Sequence, residues 1–88
     1  MEDALRQLGI TKEGTYSRDG SYVITLDSSD EFSRYYSRLD NNDDVEELSD
    51  SSQLTLHDAN VIYKYGEYQL SLQGNFDTDE YKLAMTKY

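Results

Sequence analysis

The amino-acid sequence predicts an α+β fold: a single small domain over residues 1–88, in which an antiparallel sheet of about four or five strands carries two or three short helices on one face. Three observations lead there. The stretch from Val61 to Leu72 holds two alternating runs on either side of Gly66-Glu67, and glycine at the first central position suits a type II′ hairpin turn. Phe32, Tyr35, Tyr36 and Leu39 recur at i, i+3, i+4 and i+7, the stripe of a helix lying on a sheet. Finally, 88 residues suffice for one domain, and a chain of this size buries only about 60 to 65% of its unfolded surface, so the core is small.

In chain order, Glu2 to Leu8 reads as a short helix, with acids in its first turn, Leu5 and Leu8 three apart, and Gly9 as its stop. Thr15 to Leu26 reads as a hairpin with Asp19-Gly20 as its two-residue turn; Tyr22, Ile24 and Leu26 mark one face of its second arm, and the first arm is faint. Ser28 and Glu31 stand at capping-box spacing ahead of the Phe32 to Leu39 stripe, with Arg34 and Arg38 on the opposite side. From Asp40 to Ser52 the chain turns to Asp, Asn, Glu and Ser, with only Val45 and Leu48 apolar: a long acidic loop, or a loop holding one helical turn. Gln53 to His57 alternates as a short strand with Leu54 and Leu56 on one face, and Asp58-Ala59-Asn60 turns into the central hairpin.

The hairpin sets Tyr65 against Tyr68, Tyr63 against Leu70 and Val61 against Leu72. Lys64, Gln69, Ser71 and Gln73 take the other face, with Ile62 as its apolar exception. A lone hairpin is marginal in water, so the apolar face requires cover from further strands or a helix. Residues 77–88 fit two periods. As a helix they have Asp77 and Glu80 as a capping box, Phe76 and Tyr81 as a staple, and Tyr81, Ala84, Met85 and Tyr88 on one stripe. As a strand, Tyr81, Leu83 and Met85 alternate with Lys82 and Ala84, but the helix formers in this segment favour the helix.

Nine tyrosines, two phenylalanines and no tryptophan make the core amphipathic, with phenolic hydroxyls seeking partners at its rim. The lack of cysteine removes disulfides, thiolate zinc sites and cysteine nucleophiles together. The acidic start Met1-Glu2-Asp3 and the short apolar runs fit neither a signal peptide nor a membrane span, which points to a soluble, cytoplasmic protein. Eighteen acids against eight bases give a net charge of −10; such a surface is repelled by nucleic acid and anionic membranes and suits basic proteins or cations.

No motif carries catalysis, so a non-enzymatic role without a cofactor is expected. His57 beside Asp58 is an oriented base only in outline, since no glycine-flanked serine accompanies it; a turn residue at a strand end is the simpler reading. Asp40, Asn42 and Asp44 imitate the start of an EF-hand loop, yet Val45 stands where glycine is needed and Ser51 where a bidentate Glu should close it. The five glycines are scattered, so no phosphate loop exists, and a domain this small leaves little room for the concave site of a carboxylate-pair hydrolase. Tyrosines on a sheet can stack single-stranded nucleic acid, but such platforms sit in basic grooves.

Between Leu39 and Tyr63 seven carboxylates, Asp40, Asp43, Asp44, Glu46, Glu47, Asp50 and Asp58, stand without a single Lys or Arg. One reading is a solvated loop kept acidic for solubility. The other is a partner-binding surface: positions 40, 43, 44, 47 and 50 share a side if the segment turns helically, and like charges so close gain only from a basic partner. Asp27, Asp30 and Glu31, with Asp77, Asp79 and Glu80, flank expected helix starts as further rows.

In size, charge, lack of cysteine and the Asp40 to Asp50 cluster, the chain resembles the small acidic DNA-mimicking inhibitors that bacteriophages encode against host nucleases: anti-CRISPR proteins, anti-restriction proteins and uracil-DNA glycosylase inhibitors. The resemblance implies an inhibitor in the cytoplasm of an infected bacterial cell. Its partner would be a basic nucleic-acid-binding protein such as a CRISPR effector or another nuclease, whose DNA-recognition arginines the carboxylates meet. These inhibitors share no fold or signature, so the resemblance assigns no residue a role. Two alternatives use the same features: an immunity protein or antitoxin that plugs a nuclease toxin, and a structural or assembly protein docking through its tyrosine-rich sheet.

Overall fold

The computed structural model describes residues 2–51 and 58–87. Along them run α1 (Glu2–Gln7), β1 (Thr15–Tyr16), β2 (Tyr22–Leu26), α2 (Ser29–Asp40), β3 (Glu46–Asp50), β4 (Asp58–Tyr65), β5 (Tyr68–Asn75) and β6 (Glu80–Lys87). The strands form one antiparallel sheet in the order β1-β2-β6-β5-β4-β3. The expected α+β class holds, with six strands and two helices among the described residues. No helix among these residues is long and apolar enough to cross a membrane.

Gly66 takes φ +60° and Glu67 stays at negative φ, the type II′ geometry expected for the β4–β5 turn, and the pairs Tyr65–Tyr68, Tyr63–Leu70 and Val61–Leu72 form in the expected register. The earlier hairpin turns through Ser17 to Ser21, one residue longer than the two-residue Asp19-Gly20 turn expected. Its Gly20 sits at φ +88°, with the Gly20 amide bonded to the Ser17 carbonyl and the Ser17 amide to the Ser21 carbonyl, a three-residue loop closed by a left-handed residue. Asp19 accepts from the Ser17 hydroxyl and the Ser21 amide, and the Ser17 bond first and then the Ser21 amide hold its carboxyl down to about 2.

Helix α1 stops as expected. Gly9 at φ +81° lets the Ile10 amide reach the Leu5 carbonyl and the Gly9 amide the Arg6 carbonyl, a Schellman closure that also brings Ile10 into the core beside Leu5. Ser28 caps α2 by accepting from the Glu31 amide at 3.3 Å. The helix then crosses one face of the sheet against β2, β5 and β6, burying Phe32 and Leu39 with Tyr35 and Tyr36 half-buried beside them. Lys12 pins the incoming chain to the helix start, 2.6 Å from Glu31 and 3.1 Å from Asp27. Its pKa is raised, chiefly by the Glu31 hydrogen bond.

Three further expectations are corrected. Residues 80–87 form strand β6 rather than a helix, because the segment fills the middle of the sheet and hydrogen-bonds β2 on one side and β5 on the other. Read as a helix, it would leave both neighbours with an open edge over a buried face, and tertiary pairing overrides its helix propensity. The acidic stretch is neither loop throughout nor helical turn: Glu46–Asp50 pairs with β4 as the edge strand β3, bulged between Glu47 and Ser49. Asp58, Ala59 and Asn60 are not a turn but the first residues of β4, paired to Asn75, Gly74 and Gln73. The strand expected at Gln53 to His57, with His57 itself, lies outside the described residues.

The covered face is built from cross-strand rows. Tyr22, Met85, Leu70 and Tyr63 form one row, and Ile24, Leu83, Leu72 and Val61 the next. All eight are buried, each contributing about 1.5–3 kcal/mol of burial. A third row runs Leu26, Tyr81, Gly74 and Ala59. Gly74 leaves the space that the Tyr81 and Phe32 rings occupy; a Cβ there would lie 2.8 Å from Tyr81 and 3.1 Å from Phe32.

Candidate functional site

Each of the first two rows ends in a carboxylate. Register carries Glu47 opposite Tyr63 and Asp50 opposite Val61, so both acids stand on the covered face where the apolar rows reach β3. The bulge makes this possible: without the extra residue at Leu48, strict alternation would send Glu47 and Asp50 to opposite faces. Asp40, the last residue of α2, lies near enough for its charge to act on both Glu47 and Tyr63. Burial first, and then the charges of Asp40 and Asp50, raise the pKa of Glu47; once protonated, its carboxyl can donate to either acid, which acts in the same direction.

Two tyrosines complete the group. Tyr36 of α2 donates its hydroxyl to Asp50. Tyr63 is 0% exposed, and its Oη has no hydrogen-bond partner among the described residues. Burial, followed by Asp40, Tyr36, Glu47 and Asp50, pushes its phenol well above the ordinary tyrosine range. The arrangement is a buried hydroxyl beside a group of carboxylates.

The seven acids singled out by sequence separate into groups. Asp40, Glu47 and Asp50 converge. Asp43 and Asp44 are exposed in the turn before β3, where the Asp44 amide bonds the Asn42 side chain at 2.9 Å. Glu46 pairs with Lys64 in register and faces the opposite side of the sheet. Asp58 lies at the far end of β4, in a shallow groove with Asp79 and Glu80. Among the described residues, Asp40, Asp43, Asp44, Glu46 and Glu47 make no ion pair, whereas Asp27 and Glu31 are taken by Lys12. Asp77, Asp79 and Glu80 flank the β5–β6 turn instead of a helix start. Sequence reasoning missed Tyr36 and Tyr63 as members of the site; their helical and strand periods mark them as core, and only the edge position of β3 exposes the other role.

The opposite sheet face has Lys64 and Lys82 against Glu46, Asp58 and Glu80. All but one unit of the net −10 therefore lies on the helix side, the turns and the strand ends. No protein family matches the chain, and neither a curated protein nor a solved structure does so.

Proposed function

We propose that this protein is a non-enzymatic inhibitor that occupies a basic nucleic-acid-binding surface on another protein, acting as a stand-in for DNA. The supporting observation is the Asp40–Glu47–Asp50 group, held by the end of a helix and a paired strand, with Asp43 and Asp44 beside it and no lysine or arginine among the described residues pairing with Asp40, Asp43, Asp44 or Glu47. Duplex DNA presents about one negative charge per 1.7 Å of axis, and its binding proteins answer with arginines and lysines. Carboxylates fixed on rigid elements meet those side chains without first losing the freedom a loop would lose.

The long-range field of a −10 body speeds encounter with a basic groove, and contacts of partly buried side chains supply the lifetime. A nuclease, including a CRISPR effector, is the target class this chemistry fits, in the cytoplasm of a bacterial cell. The reading is tested with immobilised protein in a bacterial lysate. A nucleic-acid-binding protein is retained at low salt and released as salt rises, and Asp43→Lys with Glu47→Lys abolishes its retention. Unchanged retention by a folded double variant contradicts the reading.

A further inference from the structure

The carboxylate group at the β3 edge has a floor that a plain acidic patch lacks. Tyr63 is fully buried with its Oη unpartnered among the described residues, directly opposite Glu47 and under the influence of Asp40 and Asp50. An orphaned buried hydroxyl costs free energy that a ligand restores by bonding it. Glu47 and Asp40 are exposed, so the group is open to a partner from outside. Among the described residues no three acidic or imidazole side chains are placed to hold a metal ion. An organic cation with several donors suits acceptors that are spread over a helix end and a strand edge.

We infer that Asp40, Glu47, Asp50 and the Tyr63 hydroxyl form a seat for a single guanidinium group, the side chain of an arginine presented by a protein partner. The guanidinium donates from a planar fork to more than one carboxylate at once, and its remaining N–H reaches the Tyr63 oxygen as acceptor. Lysine's ammonium is strongly hydrated and offers three donors from one point; guanidinium is weakly hydrated and stacks on rings such as that of half-buried Tyr36. Entry of the cation cancels the mutual repulsion of the three acids. The seat deepens the proposed function by naming the side chain it recognises; it rests on that reading for the partner's identity and on the geometry for its chemistry.

The test titrates Gly-Arg-Gly and Gly-Lys-Gly tripeptides into the isotope-labelled protein and follows the Tyr63 ring and the Glu47 and Asp50 carboxyl carbons by NMR. The arginine peptide gives saturable shifts at these groups, at least about fivefold tighter than the lysine peptide. Glu47→Gln weakens binding about tenfold, whereas Asp79→Asn, which removes the same charge outside the seat, leaves it unchanged. Tyr63→Phe weakens arginine binding without disturbing the spectrum of the other strands. Equal response to both peptides, or equal loss in Glu47→Gln and Asp79→Asn, overturns the seat. Inhibition of a nuclease by the protein that survives both Glu47→Gln and Tyr63→Phe overturns the seat and leaves the inhibitor reading standing. Arginine binding at these groups by a protein that retains no nucleic-acid-binding partner supports the seat and removes the inhibitor reading.

Discussion

Glu47 and Tyr63 face each other across the β3–β4 pair, at the point where a row of buried side chains running from Tyr22 meets solvent. The edge strand thus does two things with one residue. A carboxylate at an open sheet edge discourages pairing with another chain, and here it also stands above a buried phenol. Leu48, at the bulge, is 47% exposed and breaks the regular ladder further.

Removing the Tyr63 hydroxyl stabilises the fold. Tyr63→Phe keeps the buried ring and deletes an oxygen that has no partner among the described residues, which raises unfolding free energy by about 1 kcal/mol in urea titration. A loss of stability would show that the hydroxyl is satisfied in solution.

Glu47→Gln acts through pH. The folded-state pKa of Glu47 is raised, so its protonated form is favoured by folding; that contribution is complete below the unfolded value of about 4.3 and disappears as pH rises through the raised value. At pH 7 the charge is therefore destabilising, and Glu47→Gln gains on the order of 0.5 kcal/mol at this solvent-screened edge. Urea titrations at pH 7 and near pH 3.5 check the sign: the gain is present at the first and absent at the second.

Asp19→Asn has the opposite profile. With a folded pKa of about 2, below its unfolded value, the Asp19 carboxylate contributes stability above the unfolded range, and this is lost as pH falls through about 2. The variant melts below the wild type at pH 7, and the two melting curves converge at about pH 2; a constant difference would mean that the turn does not depend on the ionised form.

Gly74→Ala meets two rings. The added Cβ would press on Tyr81 and Phe32, themselves packed with Phe76 at centroid distances of 5.6 to 5.8 Å, so the methyl costs about 1–3 kcal/mol by overpacking. Gly20→Ala finds open space around its Cβ and is strained only by its positive φ. Thermal melts of the pair separate the two causes: added Tyr81→Leu rescues Gly74→Ala and leaves Gly20→Ala as it was.

Where local chemistry and global fold agree, the chain was readable. The Gly66 turn, the Ser28 cap and the Gly9 stop each act through their own neighbours, and each stands where expected. Strand β6 is ambiguous because Tyr81, Leu83 and Met85 alternate while Tyr81, Ala84 and Met85 also fit a helix; a place between β2 and β5 decides it, and the β2 half of that information is carried by residues 55 or more positions away. Strand β3 was hidden for another reason. An edge strand whose residues are almost all exposed has no burial alternation to reveal it, and its acids imitate a loop. The charge of the site is plain in the sequence, but its grouping is not: Asp40, Glu47 and Asp50 meet through a helix end, a strand register and a bulge, and a helical spacing would join Asp43 and Asp44 to them instead.

The most direct measurement of the central claim is competition with DNA on a partner captured by this protein. A fluorescent duplex bound to that partner is titrated with this protein, and anisotropy is read at several salt concentrations. Competitive displacement is expected, weakening as salt rises and lost in a folded Asp40→Asn, Glu47→Gln, Asp50→Asn variant. A partner that holds duplex and protein together, or displacement by the triple variant as strong as by the wild type, contradicts the claim.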